Sequence, residues 1–318
     1  MNPNEFFFRF RWWHEAAVAM TLIVLMMVAG RLMPTFLKIE SQLTLSRQLW
    51  ELAILTLGMT LTVITGGIDL SVGSTMGLCA VMFGISYTTT QSVAIASVAS
   101  LMTGAACGAL NGALISSLRV HPLIITLATF AAYRGVAEGV SQGASYSKFG
   151  SGFALVARGS LWGIPFPGYV FAVLAICSGI FLAKTPYGRY IYSIGHNETA
   201  SRFAGVAVDQ CRFWLYSLSG FLAGLSTIIY VSRFDTARAD AGKGFELDAI
   251  TAVVVGGTSI FGGRGTVVGT ILGLLLIHET RLFVSRYWRI DELRSIVIGA
   301  LLIVSVLVYR MLVRKVRE

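Results

Sequence analysis

The chain has 318 residues, of which 55% are hydrophobic and 13% charged, and its mean hydropathy is +0.73. A charged share about half the roughly 25% of soluble domains excludes an ordinary water-soluble protein and implies an all-α, polytopic membrane protein. The net charge of +9 includes no basic run interleaved with aromatics. Anionic headgroups and a protein partner therefore explain it better than nucleic acid. Cys79, Cys107, Cys177 and Cys211 show no CxxC spacing, so neither a disulfide framework nor a metal site is expected.

In chain order, FFFRFRWWHE reads as the aromatic belt of an uncleaved first span, residues 16–33. Residues 34–48 suit an external segment lying along the interface. Spans two to four are expected at 49–64, 72–87 and 93–118. A turn at Arg119-Val-His-Pro122 leads into span five, 122–141, and a glycine-rich loop covers 142–164. Span six is 166–183, and a long basic segment, 184–212, follows. Span seven is 213–231, then a charged loop, 232–246. The last three spans are 247–260, 266–283 and 293–309, before a basic tail. That makes about ten transmembrane helices, two of them short and glycine-interrupted.

The first interruption, ITGGIDLSVGSTMG, places Asp69 among apolar and small residues. An acid in the middle of a spanning helix costs roughly 2.5–3.5 kcal/mol on insertion scales. The backbone is therefore expected to break here, inside protein or beside water, with Asp69 capping the third span. The second, VVGGTSIFGGRGTVVG, resembles it, and short glycine-broken segments at corresponding positions point to a binding site or gate. Thr65, Gly66, Gly67, Asp69, Ser71, Asn111, Thr126, Gly256 and Gly257 are the candidates for gate and translocation path. Glycines recurring every four residues, as at 104/108/112, 135/139/143, 220/224 and 265/269/273, predict close helix packing.

In the 184–212 segment, Asn197 suits an N-cap for a short helix over 198–204, with Gly205 terminating it. A short basic surface helix fits a groove on another protein, or alternatively rests on headgroups. Arg134 and Glu138, ~18 and ~24 Å along span five, read as an ion pair, functional or structural. Asn111 and Thr126 also suit interhelical hydrogen bonds. His278, Glu279 and Arg281 are expected to snorkel at the outer end of span nine. No phosphate loop, metalloprotease motif or nucleophile elbow occurs, so no catalytic residue and no cofactor of the chain's own are expected. Both termini share one side, but the tally of Lys and Arg does not decide which.

The ordered motifs LGMTLTVITGGIDLSVGS, NGALIS, HPLIITLATFAAYRG, TPYGRYIYSIGHNETASRFAGV and ELDAITAVVVGGTSIFGGRGTVVGTILG closely resemble the permease subunit of bacterial ABC importers of the ribose, rhamnose and autoinducer type. The resemblance runs from about residue 34 to 309. It implies one permease domain over 1–318, commonly ten spans, and a homodimer or a pair with a related chain. It also implies a partner ATPase that holds the ATP and magnesium, and a periplasmic sugar-binding protein. Residues 184–212 become the cytoplasmic coupling loop, with Asn197, Glu198, Ala200, Ser201, Arg202 and Gly205 facing the ATPase. Both termini are then cytoplasmic, in a bacterial inner membrane. Two departures stand out: Glu138 where an apolar residue is usual, and IDELRSIVIG without the aromatic–glutamine pair. The WELA at 50–53 leans towards a rhamnose-like or autoinducer solute. An ion-coupled secondary transporter or channel, a membrane enzyme and an assembly subunit are the rival classes.

Overall fold

The computed structural model describes residues 3–150, 152–288, 293, 296–301 and 303. Its helices are α1 (Pro3–Leu32), α2 (Ile39–Ser46), α3 (Trp50–Ile64), α4 (Val72–Thr90), α5 (Val93–Leu118), α6 (Pro122–Ser141), α7 (Ala154–Arg158), α8 (Phe166–Lys184), α9 (Pro186–His196), α10 (Glu198–Phe203), α11 (Val208–Phe234), α12 (Phe245–Val255) and α13 (Val267–Trp288). Extended backbone among the described residues amounts to two pairs. β1 (Tyr146–Ser147) lies antiparallel to β4 (Thr236–Ala237), and β2 (Ser160–Leu161) pairs with β3 (Ile164–Pro165).

Among the described residues six helices are long and apolar enough to cross a membrane: the part of α1 from His14, then α5, α6, α8, α11 and α13. Helix α3 is apolar but has only 15 residues. With 11 residues, α12 reaches about 16 Å, half a bilayer core. Of the predicted span at 293–309, residue 293, residues 296–301 and residue 303 are helical, and the remainder, with the basic tail, lies outside the described residues. The side chains of the N-terminal aromatic run also fall outside them.

Local chemistry sets the helix ends. Pro122 opens α6 behind His121, whose Nδ1 accepts from the Leu123 N–H at 3.2 Å. Thr185 caps α9 through the Gly188 N–H, 3.0 Å away.

At the centre stands α3, buried from Glu51 to Ile64. Its first turn carries Glu51, fully buried and bonded to Arg233 Nε of α11 at 2.6 Å. Helices α5 and α11 meet along glycines. A Cβ on Gly104 would strike the Gly220 carbonyl, one on Gly108 that of Tyr216, and one on Gly224 that of Ser100. The four-residue spacing works there and where α12 meets α13, as Gly256 packs on Gly269 and Gly273 on Ala252. It does not work on α6, where Gly135 and Gly139 face open space, as does Gly143 just beyond.

Candidate functional site

Helix α3 ends at Thr65, and Gly66 takes a positive φ of 80° to turn the chain. Asp69 then closes the break. Its Oδ1 accepts from the Ser71 N–H (3.1 Å) and hydroxyl (2.6 Å), and its Oδ2 accepts from the Ser219 hydroxyl of α11 (3.0 Å). The expected cap is therefore corrected: Ser71 is the N-cap of α4, with no side-chain cap bond, and Asp69 bonds the turn rather than the helix. Asn111 of α5 donates to Ser71 Oγ at 2.8 Å, and its own Oδ1 accepts from Tyr133 of α6 at 3.0 Å. Thr126 of α6 donates to the Ile68 carbonyl at 2.8 Å. Asp69, Ser71, Asn111 and Thr126 thus form one network that pins the break to three helices, and each is at most 1% exposed. Sequence reading missed Tyr133 and Ser219. It also missed Tyr216, whose hydroxyl lies where a Cβ on Gly67 would sit.

The second break is built from backbone. Gly257, Gly262 and Gly263 have positive φ, and Thr266 caps α13 through the Gly269 N–H at 2.9 Å. Helix α1 holds it from one side: His14 Nε2 bonds the Val255 carbonyl (3.1 Å) and Glu15 accepts from Thr266 (2.6 Å). A Cβ on Gly257 would run into the His14 ring. The two breaks touch, since the Gly263 N–H donates to the Ile64 carbonyl at 2.8 Å. Gly195 of α9 is wedged between them, where a Cβ would meet the Ile64 carbonyl and the Gly263 nitrogen. Tyr192 of α9 donates to the Gly265 carbonyl at 2.8 Å.

The basic segment is not a loop but α9, α10 and the first turn of α11. Asn197 accepts from the Ala200 N–H at 3.0 Å, and Gly205 ends α10 at φ 81°, as its sequence predicts. Glu198 accepts from Arg202 (3.0 Å) and Arg212 (2.6 Å), while Arg202 also reaches Asp209 (2.5 Å). Burial pushes the Glu198 carboxyl up, but hydrogen bonds and charges from Arg212 and Arg202 outweigh it and hold the group below its ordinary range. Ser201 is buried against Ser193 (2.7 Å), whereas Ala200, Arg202 and Gly205 are exposed. Phe203, unnoticed in sequence, is 89% exposed at the tip. Between this segment, the end of α3 and the α5–α6 turn lies a cavity of about 540 Å³, with Thr65, Gly66, Arg119, His196 and Arg212 among its walls.

Two further expectations are corrected. No ion pair joins Arg134 to Glu138 among the described residues. The Arg134 guanidinium donates instead to the carbonyls of Ala239 and Gly73 inside the bundle, while Glu138 is exposed. His278 and Glu279 do not snorkel but are buried, and Arg281 pairs with Asp248 of α12. Glu279 accepts from Gln42 of α2 at 3.4 Å, so these residues face other helices from two sides rather than the interface. Among the described residues no group of three His, Cys, Asp or Glu is placed to hold a metal.

Apolar helices around two short, broken ones, with irregular backbone meeting at one end of the bundle, define a multi-pass membrane transport protein. The chain belongs to the family described as branched-chain amino acid transport system / permease component, which matches residues 42–306. The autoinducer 2 import system permease protein LsrD of Photorhabdus laumondii is 36% identical over 305 residues, covering 94% of this chain and 91% of that protein. The ribose import permease protein RbsC is 36% identical in Escherichia coli K12 (85% of this chain, 86% of that one) and in Bacillus subtilis 168 (91% and 90%). No solved structure matches the chain.

Proposed function

We propose that this chain is the permease subunit of an ATP-binding-cassette importer for a sugar or sugar-like solute, in the class of ribose, autoinducer 2 or a rhamnose-like deoxyhexose. It pairs with a second permease, identical or related, takes solute from a periplasmic binding protein, and binds no cofactor itself. ATP and magnesium belong to a partner ATPase. We place it in the bacterial inner membrane with both termini cytoplasmic. The ten crossings are the six long apolar helices, α3, α4, the segment 236–255 ending in α12, and the span that the sequence predicts at 293–309.

One observation carries this reading. Helix α10, with Phe203 projecting, stands clear of the bundle, yet ion pairs bind it to α11 and Gly195 seats the adjoining α9 on both breaks. A push on α10 therefore has a rigid route to the gate turn closed by Asp69 and Ser71 and held by Asn111 and Thr126, and to the glycine turn at Gly256 and Gly257. ATP binding moves the coupling helix and opens the permease outward, and hydrolysis resets it. The test is Phe203→Asp in the assembled importer. Loss of ATPase recruitment and uptake, with normal membrane insertion, is the expected result. Uptake that persists without the ATPase and collapses with the ion gradient would favour an ion-coupled carrier.

A further inference from the structure

The charged segment before α12 reads as an external loop, but it descends into the bundle. Its level can be followed on α4. A Cβ on Gly84 would meet Tyr146, which pairs with Ala237; one on Gly77 would meet the Ala239 carbonyl; one on Gly73 would meet the Gly242 carbonyl and Glu246. Gly84 to Gly73 is about 16 Å of helix. Residues 238–244 are turns rather than helix, and Arg134, about 18 Å along α6, ties them down at the Ala239 and Gly73 carbonyls. Lipid tolerates neither irregular backbone nor free charge at that depth. Yet Asp240, paired with Arg238 at 2.9 Å, and Lys243 are exposed, as is Glu138 on α6, and Gly135 and Gly139 open onto empty space. The carboxylates of Glu246, Glu138 and Asp240 all act electrostatically on Arg134. Helix α8 turns Val170, Val173, Ile176 and Ile180 outward, a face suited to acyl chains, and α6 likewise exposes Ile124, Leu127, Val136 and Val140, so on α6 only the strip of Gly135, Glu138 and Gly139 beside the descending segment departs from that pattern.

From this we infer that residues 238–247 and the Gly135–Glu138–Gly139 strip of α6 form a water-filled wall of the solute path, where Asp240 and Lys243 offer polar groups to the hydroxyls of a polyhydroxylated solute. This rests on the permease reading and shifts solute contact away from the buried Asp69 network, which has no free surface. It is tested in the assembled importer, with Cys177 and Cys211 replaced by Ser, by introducing Lys243→Cys, Asp240→Cys or Val173→Cys. Each is treated with a membrane-impermeant cationic methanethiosulfonate, on intact cells and on inverted vesicles. Reaction at position 243 or 240 from either side, at least roughly tenfold faster than at 173, is expected. Rates no higher than at 173 from both sides would overturn the wall. Uptake by the unsubstituted importer tests the permease reading separately. Lys243→Gln is expected to raise the KM for uptake roughly three- to tenfold; an unchanged KM would remove Lys243 from solute contact.

Discussion

The two breaks look alike in sequence and are built on opposite principles. The first is held by side chains: Asp69 joins α11, Ser71 joins α5, and the Ile68 carbonyl takes a hydrogen bond from α6. The second is built on glycines, which let α9, α1 and the end of α3 reach its backbone, where His14, Glu15 and Tyr192 bond to it. A buried polar network resists deformation because each broken bond leaves an unsatisfied group. A glycine turn bonded mainly through its backbone changes its dihedrals at less cost. The first break is thus built as a fixed post, and the second as the joint that meets the N-terminal helix and the coupling segment.

Substitutions can break this contrast, and the largest effect is expected at the joint. Gly195→Val must push apart the Ile64 carbonyl and Gly263, and overpacking of this kind costs about 1–3 kcal/mol. Uptake normalised to permease in the membrane is expected to fall at least roughly tenfold. Near-normal uptake would show that the breaks need no contact with α9. On stability rather than uptake the largest effect is that of Glu51→Ala, which strands Arg233 inside the bundle at a cost of about 3–5 kcal/mol. A lowered unfolding temperature of detergent-purified permease should report it, and α3 would prove less central if that temperature held.

Asp69→Ala removes three hydrogen bonds from the post, each buried orphan costing about 1–3 kcal/mol. Uptake should drop more than membrane assembly does, and a variant with full uptake would mean the turn needs no carboxylate. Smallest is the pH response of the coupling clamp. Glu198 is held below its ordinary 4.5, so its stabilisation is complete above that value and fades as pH falls through the lowered one. Limited proteolysis of residues 184–212 should accelerate only in strongly acidic buffer, and Glu198→Gln should abolish that acceleration. Acceleration already evident at pH 6 would assign the clamp to another group.

Much of the polar post was legible because Asp69, Ser71, Asn111 and Thr126 are conspicuous in apolar sequence. Their partners Tyr133 and Ser219 were not, since a tyrosine or serine on a mixed helix face carries no sign of its direction. Asn197 and Gly205 were readable because capping is settled within a few residues. Arg134 was misread through its four-residue spacing from Glu138. The Ala239 carbonyl that captures it is 105 residues away and invisible to any local pattern. Likewise, RFDTARADAGKGFELD has the composition of an external loop. Only the glycines of α4, which admit its backbone, bring it into the bundle.

Hydrophobic run length, glycine recurrence and capping chemistry are local properties, so the helical membrane class, the long apolar helices and the short helix at 198–203 follow from the amino-acid order alone. The union of the two breaks, the wedge of Gly195 and the descent of residues 238–244 depend on which backbones approach within contact distance. That is settled only when all the helices pack at once, because steric fit and hydrogen-bond pairing belong to the assembled bundle and not to any single segment.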